Sequence, residues 1–284
     1  MLEYTLKVAL RLEGPVLTHS TAAGEYGIDS PMARNKDEKY YLPGTLVKGK
    51  LREAMEELHE KASDLFSPDI ADLFGDQTGN EQNARPTVSP RRSRLIFEDF
   101  LGETSSESDN LTRIKIDNQL GSVKKGMLQV MEAPWSSGEA VEFTGSISFF
   151  AQDQTEGDNI RSHIETGLRW ITGFGSNRSV GFGRLLNVDI QVDPPTDLLA
   201  TSAIDDLGSP ERIDLAISPW NPFCVSKHRV SPNIFESEKI IPGNVIKGCI
   251  AELWRQLLGQ PHDIPVKVFN DPARQGTLWT ILTG

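Results

Sequence analysis

With 284 residues, 29 basic against 40 acidic side chains and a net charge of −11, the chain can bury the core of one large or two modest domains. That charge excludes a protein that coats nucleic acid by bulk attraction, while leaving room for a local basic groove. Two cysteines, Cys224 and Cys249, supply neither a disulfide framework nor a zinc cluster, so no zinc is expected. No apolar run approaches the roughly 20 residues that span a bilayer, and Leu2–Leu12 alternates with charges unlike a signal peptide. The expectation is a soluble, cytoplasmic protein without membrane contact.

Tyr4–Leu12 alternates with period two and predicts an opening strand. Gly14–Lys39 is a polar loop longer than a compact connection needs, which points to function. Tyr41-Leu42-Pro43-Gly44 reads as a strand end and a turn, with Thr45 as N-cap of a helix over Leu46–Leu58. Asp76–Pro90 is rich in Gly, Asn, Gln and Pro and reads as a loop. Arg94–Phe100 predicts a second strand, and Thr104–Asn110 a serine-rich acidic loop, in a stretch where Glu98, Asp99, Glu103, Glu107 and Asp109 concentrate negative charge. A hairpin-like excursion over Asn118–Gly138 precedes a strand over Ala140–Phe149. Asn159–Ile171 fits a helix with Ile160, Ile164, Leu168 and Ile171 on one side, and Leu185–Val192 a closing strand. Strand, helix, strands, helix, strand is a ferredoxin-like or RNA-recognition-type α+β layout.

The Pro-Gly phrase occurs twice. Leu42-Pro43-Gly44-Thr45-Leu46-Val47-Lys48-Gly49 returns as Ile241-Pro242-Gly243-Asn244-Val245-Ile246-Lys247-Gly248, about 200 residues on. The repeat predicts a second unit of the same type, with Asn244 capping a helix over Val245–Leu258. The domains expected are 1–193, a linker over 194–210 marked by Pro194-Pro195 and Asp205–Pro210, and a partial second unit over 211–284 that opens with the strand Arg212–Ile217. This second unit lacks a counterpart of the later elements, so either the chain is a fragment or another polypeptide completes it. Lys48 and Lys247 fall near helix N-termini, where a cation is disfavoured by a few tenths to about 1 kcal/mol. A bound phosphate would offset that cost, and a solvated lysine is the alternative.

Gly173-Phe174-Gly175-Ser176-Asn177-Arg178-Ser179-Val180-Gly181-Phe182-Gly183-Arg184 lies between the second helix and the last strand. Its four glycines allow close backbone approach and could aim several N–H groups at one ligand. Arg178 and Arg184 add charge, and Phe174 and Phe182 either stack on bases or anchor the loop in the core. No Gly-Lys-Ser/Thr follows, so it is not a Walker loop, and no nucleophile elbow for a Ser/His/Asp hydrolase is present. His59, His163, His228 and His262 show no metal-ligand spacing.

Leu42–Arg52, Ser93–Asp99 and the glycine-rich loop ending Val180-Gly181-Phe182-Gly183-Arg184 together resemble the RAMP superfamily of CRISPR proteins, specifically backbone subunits of type III effector complexes. The resemblance spans nearly all of residues 1–193. It implies a RAMP domain with a thumb insertion that polymerises along guide crRNA and displaces a nucleotide at regular intervals. It also implies complementary target RNA, other RAMP backbone subunits and a large signalling subunit as partners. Tyr26–Arg34 matches the family's catalytic loop and puts Asp29 at the position that supports target cutting with Mg²⁺ or Mn²⁺. The alternative for Asp29 is a turn-capping carboxylate ahead of Ser30-Pro31. The RNA ribose 2′-hydroxyl would supply the nucleophile, so the chemistry would be specific for RNA.

By the same resemblance, Arg34, Lys48, Lys50 and Arg52 are expected at RNA, and Lys247 in the second unit could contact it; His19 would bond a phosphate of the guide, with a satisfied loop histidine as the alternative. In the glycine-rich loop the expected contacts are Gly173, Gly175, Ser176, Asn177, Arg178, Ser179, Gly181, Gly183 and Arg184. In the excursion, Lys124 and Lys125 would touch the phosphate backbone, and Met127 or Leu128 would wedge beside a displaced base; solvated lysines and core apolar residues are the alternative. Ser231-Pro232 corresponds to Ser30-Pro31 and sets Val230 opposite Asp29, so the second unit should not cut. Two other functions fit the same architecture. One is a non-catalytic scaffold or capping subunit; the other is a guide-processing nuclease using His19 with Lys48, which would work without metal.

Overall fold

In the computed structural model, described residues are 1–19, 27–75, 93–102, 109–197, 216–217, 224–231 and 234–257. They fall into two compact units, one ending at Asp197 and one beginning at Ala216. The loop Asp76–Pro90, the linker Asp205–Pro210, most of Thr104–Asn110 and the chain beyond Leu257 lie outside the described residues.

The first unit is built on β1 (Leu2–Glu13), whose alternation drives Tyr4, Leu6, Val8, Leu10 and Leu12 into the core. It is followed by β2 (Tyr41–Leu42), α1 (Gly44–Ala62), α2 (Ile70–Phe74), β3 (Ile96–Phe97) and β4 (Phe100–Gly102). Next come β5 (Asp109–Ile116), β6 (Val123–Ala133), β7 (Ala140–Ala151), α3 (Gln154–Trp170), β8 (Arg184–Val192) and β9 (Thr196–Asp197). The sheet runs β2-β4-β7-β1-β8, with β3 also on β7 and β9 on β1. β1 is antiparallel to β7 on one side and to β8 on the other. This is the ferredoxin-like order expected from the sequence. α1 and α3 bury Val47, Leu51, Met55 and Leu58, and Ile160, Ile164 and Leu168, in one core with β1. β5 and β6 form a separate two-stranded ladder inserted between β4 and β7.

Several boundaries differ from expectation. Thr45 is not an N-cap: α1 begins at Gly44, and Pro43 at the cap position offers no side chain. The Asp99 carboxylate takes over, accepting from the Gly44 N–H at 2.8 Å. A charge from another segment thus satisfies a helix terminus that its own sequence leaves open. Turning Asp99 toward the helix breaks Arg94–Phe100 into β3 and β4 instead of one strand. Gly44 is needed there, since a Cβ would stand 2.6 Å from the Glu98 carbonyl oxygen. The excursion starts earlier than Asn118, because Asp109–Ile116 forms the first arm of the hairpin. α3 extends from Gln154, capped by the Asp153 carboxylate on the Glu156 N–H, and buries Ile160, Ile164 and Leu168 as the periodicity predicts.

The second unit contains the hairpin β10 (Ser226–Ser231) and β11 (Ile234–Ser237), then α4 (Gly243–Leu257). α4 matches the second Pro-Gly phrase. Of the predicted strand Arg212–Ile217 only Ala216 and Ile217 are described, and they are not in a strand.

Candidate functional site

The β1–α1 loop returns to β6, the second arm of the inserted hairpin. Asp29 N–H and Ser30 N–H both donate to the Val130 carbonyl, at 2.9 and 3.2 Å, and Glu132 N–H donates to the Ser30 carbonyl at 3.0 Å. The Asp29 side chain joins this pairing: one carboxylate oxygen accepts from Val130 N–H at 2.8 Å. Gln129 Nε2 donates to the Ser30 hydroxyl at 3.0 Å. Asp29 is exposed, whereas Ser30, Met32 and Ala33 behind it are buried. A carboxylate offers about four acceptor sites, so the bond to Val130 leaves capacity for further ligands.

Behind Asp29 sits Glu132, only 3 % exposed. Its carboxylate accepts from Met32 N–H at 2.9 Å, the Tyr40 hydroxyl at 2.9 Å and the Arg34 guanidinium at 2.6 Å. The guanidinium also lies over the Tyr40 ring at 4.8 Å. Bonding to Glu132 raises the Arg34 pKa further. Burial, reinforced by the bond to Glu132, pushes the Tyr40 phenol up to about 12. The folded value thus lies above the ordinary 10.0 of an unfolded tyrosine. The stability gained is therefore complete below pH 10 and disappears as pH rises toward 12. The advantage of the wild type over Tyr40→Phe should shrink across this interval, which urea midpoints at pH 8, 10 and 11.5 would measure.

Nothing in the sequence singled out Glu132. Arg34, expected at RNA, is exposed and bonds both Glu132 and Tyr40. His19 is exposed and bridges antiparallel to Met32, at the other side of the same loop.

The glycine-rich loop packs on the opposite end of that loop. Gly183 N–H donates to the Pro15 carbonyl and Ser176 N–H to that of Leu17, both at 2.8 Å. Phe174 N–H bonds the Gly183 carbonyl at 2.9 Å, and Val180, Gly181 and Phe182 N–H groups bond carbonyls at Asn177 and Arg178. The close approach predicted from the glycines is thus made to the chain's own backbone, and these amides do not converge on an open site. Phe174 is fully buried and Phe182 nearly so, which is the anchoring alternative. Asn177 ties the loop to the hairpin: its side-chain oxygen accepts from Arg113 at 2.9 Å and its Nδ2 approaches the Met131 sulfur at 3.3 Å. Arg178, Ser179 and Gly181 are exposed at the loop tip. Arg184 pairs with Glu13 at 2.6 Å.

On α1, Lys48 is half-buried, Lys50 pairs with Glu53, and Arg52 pairs with Glu56 at 2.8 Å. Lys50 and Arg178 meet in a cleft of about 290 Å³ that Trp170 also lines. Lys124 and Lys125 are exposed on β6, as are Met127 and Leu128; Lys247 is exposed on α4. His59 bonds the Phe66 carbonyl at 3.0 Å, and His163 packs edge-on against the Phe66 ring. Burial lowers the His163 pKa.

Among the described residues no group of three His, Cys, Asp or Glu is placed to hold a metal ion. Among the described residues no helix is long and apolar enough to cross a membrane.

An antiparallel sheet with β4-β7-β1-β8 at its centre, two helices packed on it, and a hairpin inserted before β7 that holds the first loop define a ferredoxin-like domain of the RNA-recognition type. The family model of the RAMP superfamily matches residues 9–186. That range is more than half of the chain, and the chain belongs to the RAMP superfamily. Comparison with curated proteins gave no match. Among solved structures, the cryo-EM structure of the type III-B Cmr-beta bound to cognate target RNA is similar at a TM-score of 0.44 and 18% identity. The alignment covers 66% of this chain and 61% of that one.

Proposed function

We propose that the chain is a guide-RNA-binding subunit of a type III CRISPR effector complex, and that it cuts complementary target RNA at Asp29. The observation that carries this reading is the placement of Asp29: an exposed carboxylate, clamped by main-chain bonds to the base of the inserted hairpin, in a RAMP domain. Its proposed partners are guide crRNA, target RNA, other RAMP subunits and the large signalling subunit.

In this mechanism the hairpin and its lysines, Lys124 and Lys125, hold the paired RNA across the Asp29 loop. Arg178, exposed at the loop tip, adds positive charge along the guide. The bond from Val130 N–H fixes one carboxylate oxygen, so Asp29 meets the ribose-phosphate in one orientation. Asp29 would hold Mg²⁺ or Mn²⁺, and the ion would supply positive charge at the phosphate being cut. The neighbouring 2′-hydroxyl gives up its proton to solvent and attacks the phosphorus in line, which restricts cutting to RNA. The bond to the 5′-oxygen breaks, leaving a 2′,3′-cyclic phosphate and a 5′-hydroxyl that takes a proton from water.

The test uses the assembled ribonucleoprotein with labelled complementary RNA, in Mg²⁺ or in chelator. Asp29→Ala should lower the cutting rate at least about a hundredfold, equivalent to about 2.7 kcal/mol of transition-state stabilisation, with guide and target still bound. Unchanged cutting would leave the chain a scaffold, and guide cleavage persisting in chelator would favour a metal-independent processing nuclease.

A further inference from the structure

The buried Glu132 is out of place in a domain held together by apolar packing. A carboxylate taken out of water is costly unless charge and hydrogen bonds compensate, and well-packed apolar groups of similar volume often serve stability as well or better. Glu132 is nonetheless almost completely enclosed, and its three donors, Met32 N–H, Arg34 and the Tyr40 hydroxyl, all lie on the chain segment that follows Asp29. Glu132 itself stands two residues beyond Val130, the residue that binds Asp29 through both main chain and side chain.

We infer that Glu132 is a positioning residue: it locks the register of the Asp29 segment on β6 and so fixes where the Asp29 carboxylate stands. The pairing of the two segments is short, a few main-chain bonds around Ser30 and Met131. A pairing that short does not define its own register. A slip of one residue would carry Asp29 about 3.3 Å along the strand and turn its side chain to the other face. The carboxylate of Glu132 prevents this, because it can meet Met32 N–H, Arg34 and Tyr40 together only in the observed register.

The inference rests on Asp29 being the cutting residue, and the experiment separates the two. Glu132→Gln keeps the shape but removes the charge and one acceptor oxygen. In the full-length protein, amide hydrogen exchange over residues 27–34 should accelerate at least about tenfold. In the assembled ribonucleoprotein, cutting at saturating target should fall by about 10- to 100-fold, the range found when a group that orients a metal ligand is lost, while target affinity stays within about twofold. Tyr40→Phe removes one of three donors and should shift both readouts in the same direction by less, which keeps the test open if Glu132→Gln does not assemble. Leu58→Ala, a core truncation on α1 remote in sequence from both segments, controls for general loss of stability and should leave cutting per assembled complex unchanged.

Unchanged exchange and cutting in Glu132→Gln, beside a dead Asp29→Ala, would overturn the positioning role alone. An equal loss of cutting in Leu58→Ala would overturn it too, by reducing the effect to stability. Full cutting by Asp29→Ala would remove the function reading, and the positioning role with it.

Discussion

Gly183→Val is expected to destabilise the first unit by about 2–5 kcal/mol, the sum of left-handed strain in an L-residue and overpacking. Gly183 has φ +60°, and a Cβ there would stand 2.0 Å from the Phe174 carbonyl oxygen. That carbonyl is backbone and cannot swing aside as a flexible side chain would. Gly183 also donates to Pro15 and accepts from Phe174, so relieving the clash breaks one bond that holds the loop to the β1–α1 connection and one that closes the loop on itself. Phe174 and Phe182, the loop's two buried rings, would be lifted with it. The urea midpoint measures the loss. Ser179→Ala, at the exposed tip, should stay within about 0.5 kcal/mol of the wild type, so an equal loss in both variants would contradict the argument.

Trp135→Ala should cost about 3–5 kcal/mol. Trp135 is 3 % exposed and packs edge-on against Tyr40 at 5.1 Å and Phe143 at 5.4 Å. Removing the indole opens a cavity between the sheet and the Glu132 cluster, with Tyr40 losing one wall. Trp135→Phe keeps an aromatic partner and should cost less than half as much. Chemical denaturation of both variants checks the ranking. Equal stability of the two would show that the site collapses freely, with no packing role for the ring.

The alternation of Tyr4–Leu12 and the spacing of Ile160, Ile164 and Leu168 were legible because each pattern is local and its burial follows from its own period. Asp99 was not, because its role as a cap depends on a helix start that is 55 residues away in sequence. The first hairpin arm did carry a signal, Leu111-Thr112-Arg113-Ile114-Lys115-Ile116, but its apolar members Ile114 and Ile116 remain exposed, so the alternation does not reflect burial. In the glycine-rich loop, composition spoke only for close approach; whether the approach is to a ligand or to Pro15 and Leu17 is decided by tertiary structure. Asp29 stood out through its motif. Glu132 could not, since one of 40 acidic residues becomes distinctive only when Met32, Arg34 and Tyr40 close on it from about 100 positions away.

The central place of β1 has a consequence for synthesis. Its partners in β7 lie roughly 130 to 150 residues further along the chain, and those in β8 further still. At about 5–20 residues per second, a ribosome takes roughly 6 to 30 seconds to deliver β7 after β1 has emerged. During that interval α1 can form from local contacts, but Leu6, Val8 and Leu10 have no sheet to enter and face water or a chaperone. The nascent chain therefore carries β1 unpaired for longer than any other strand of the first unit, and crowded or rapid expression should make β1 the first point of aggregation.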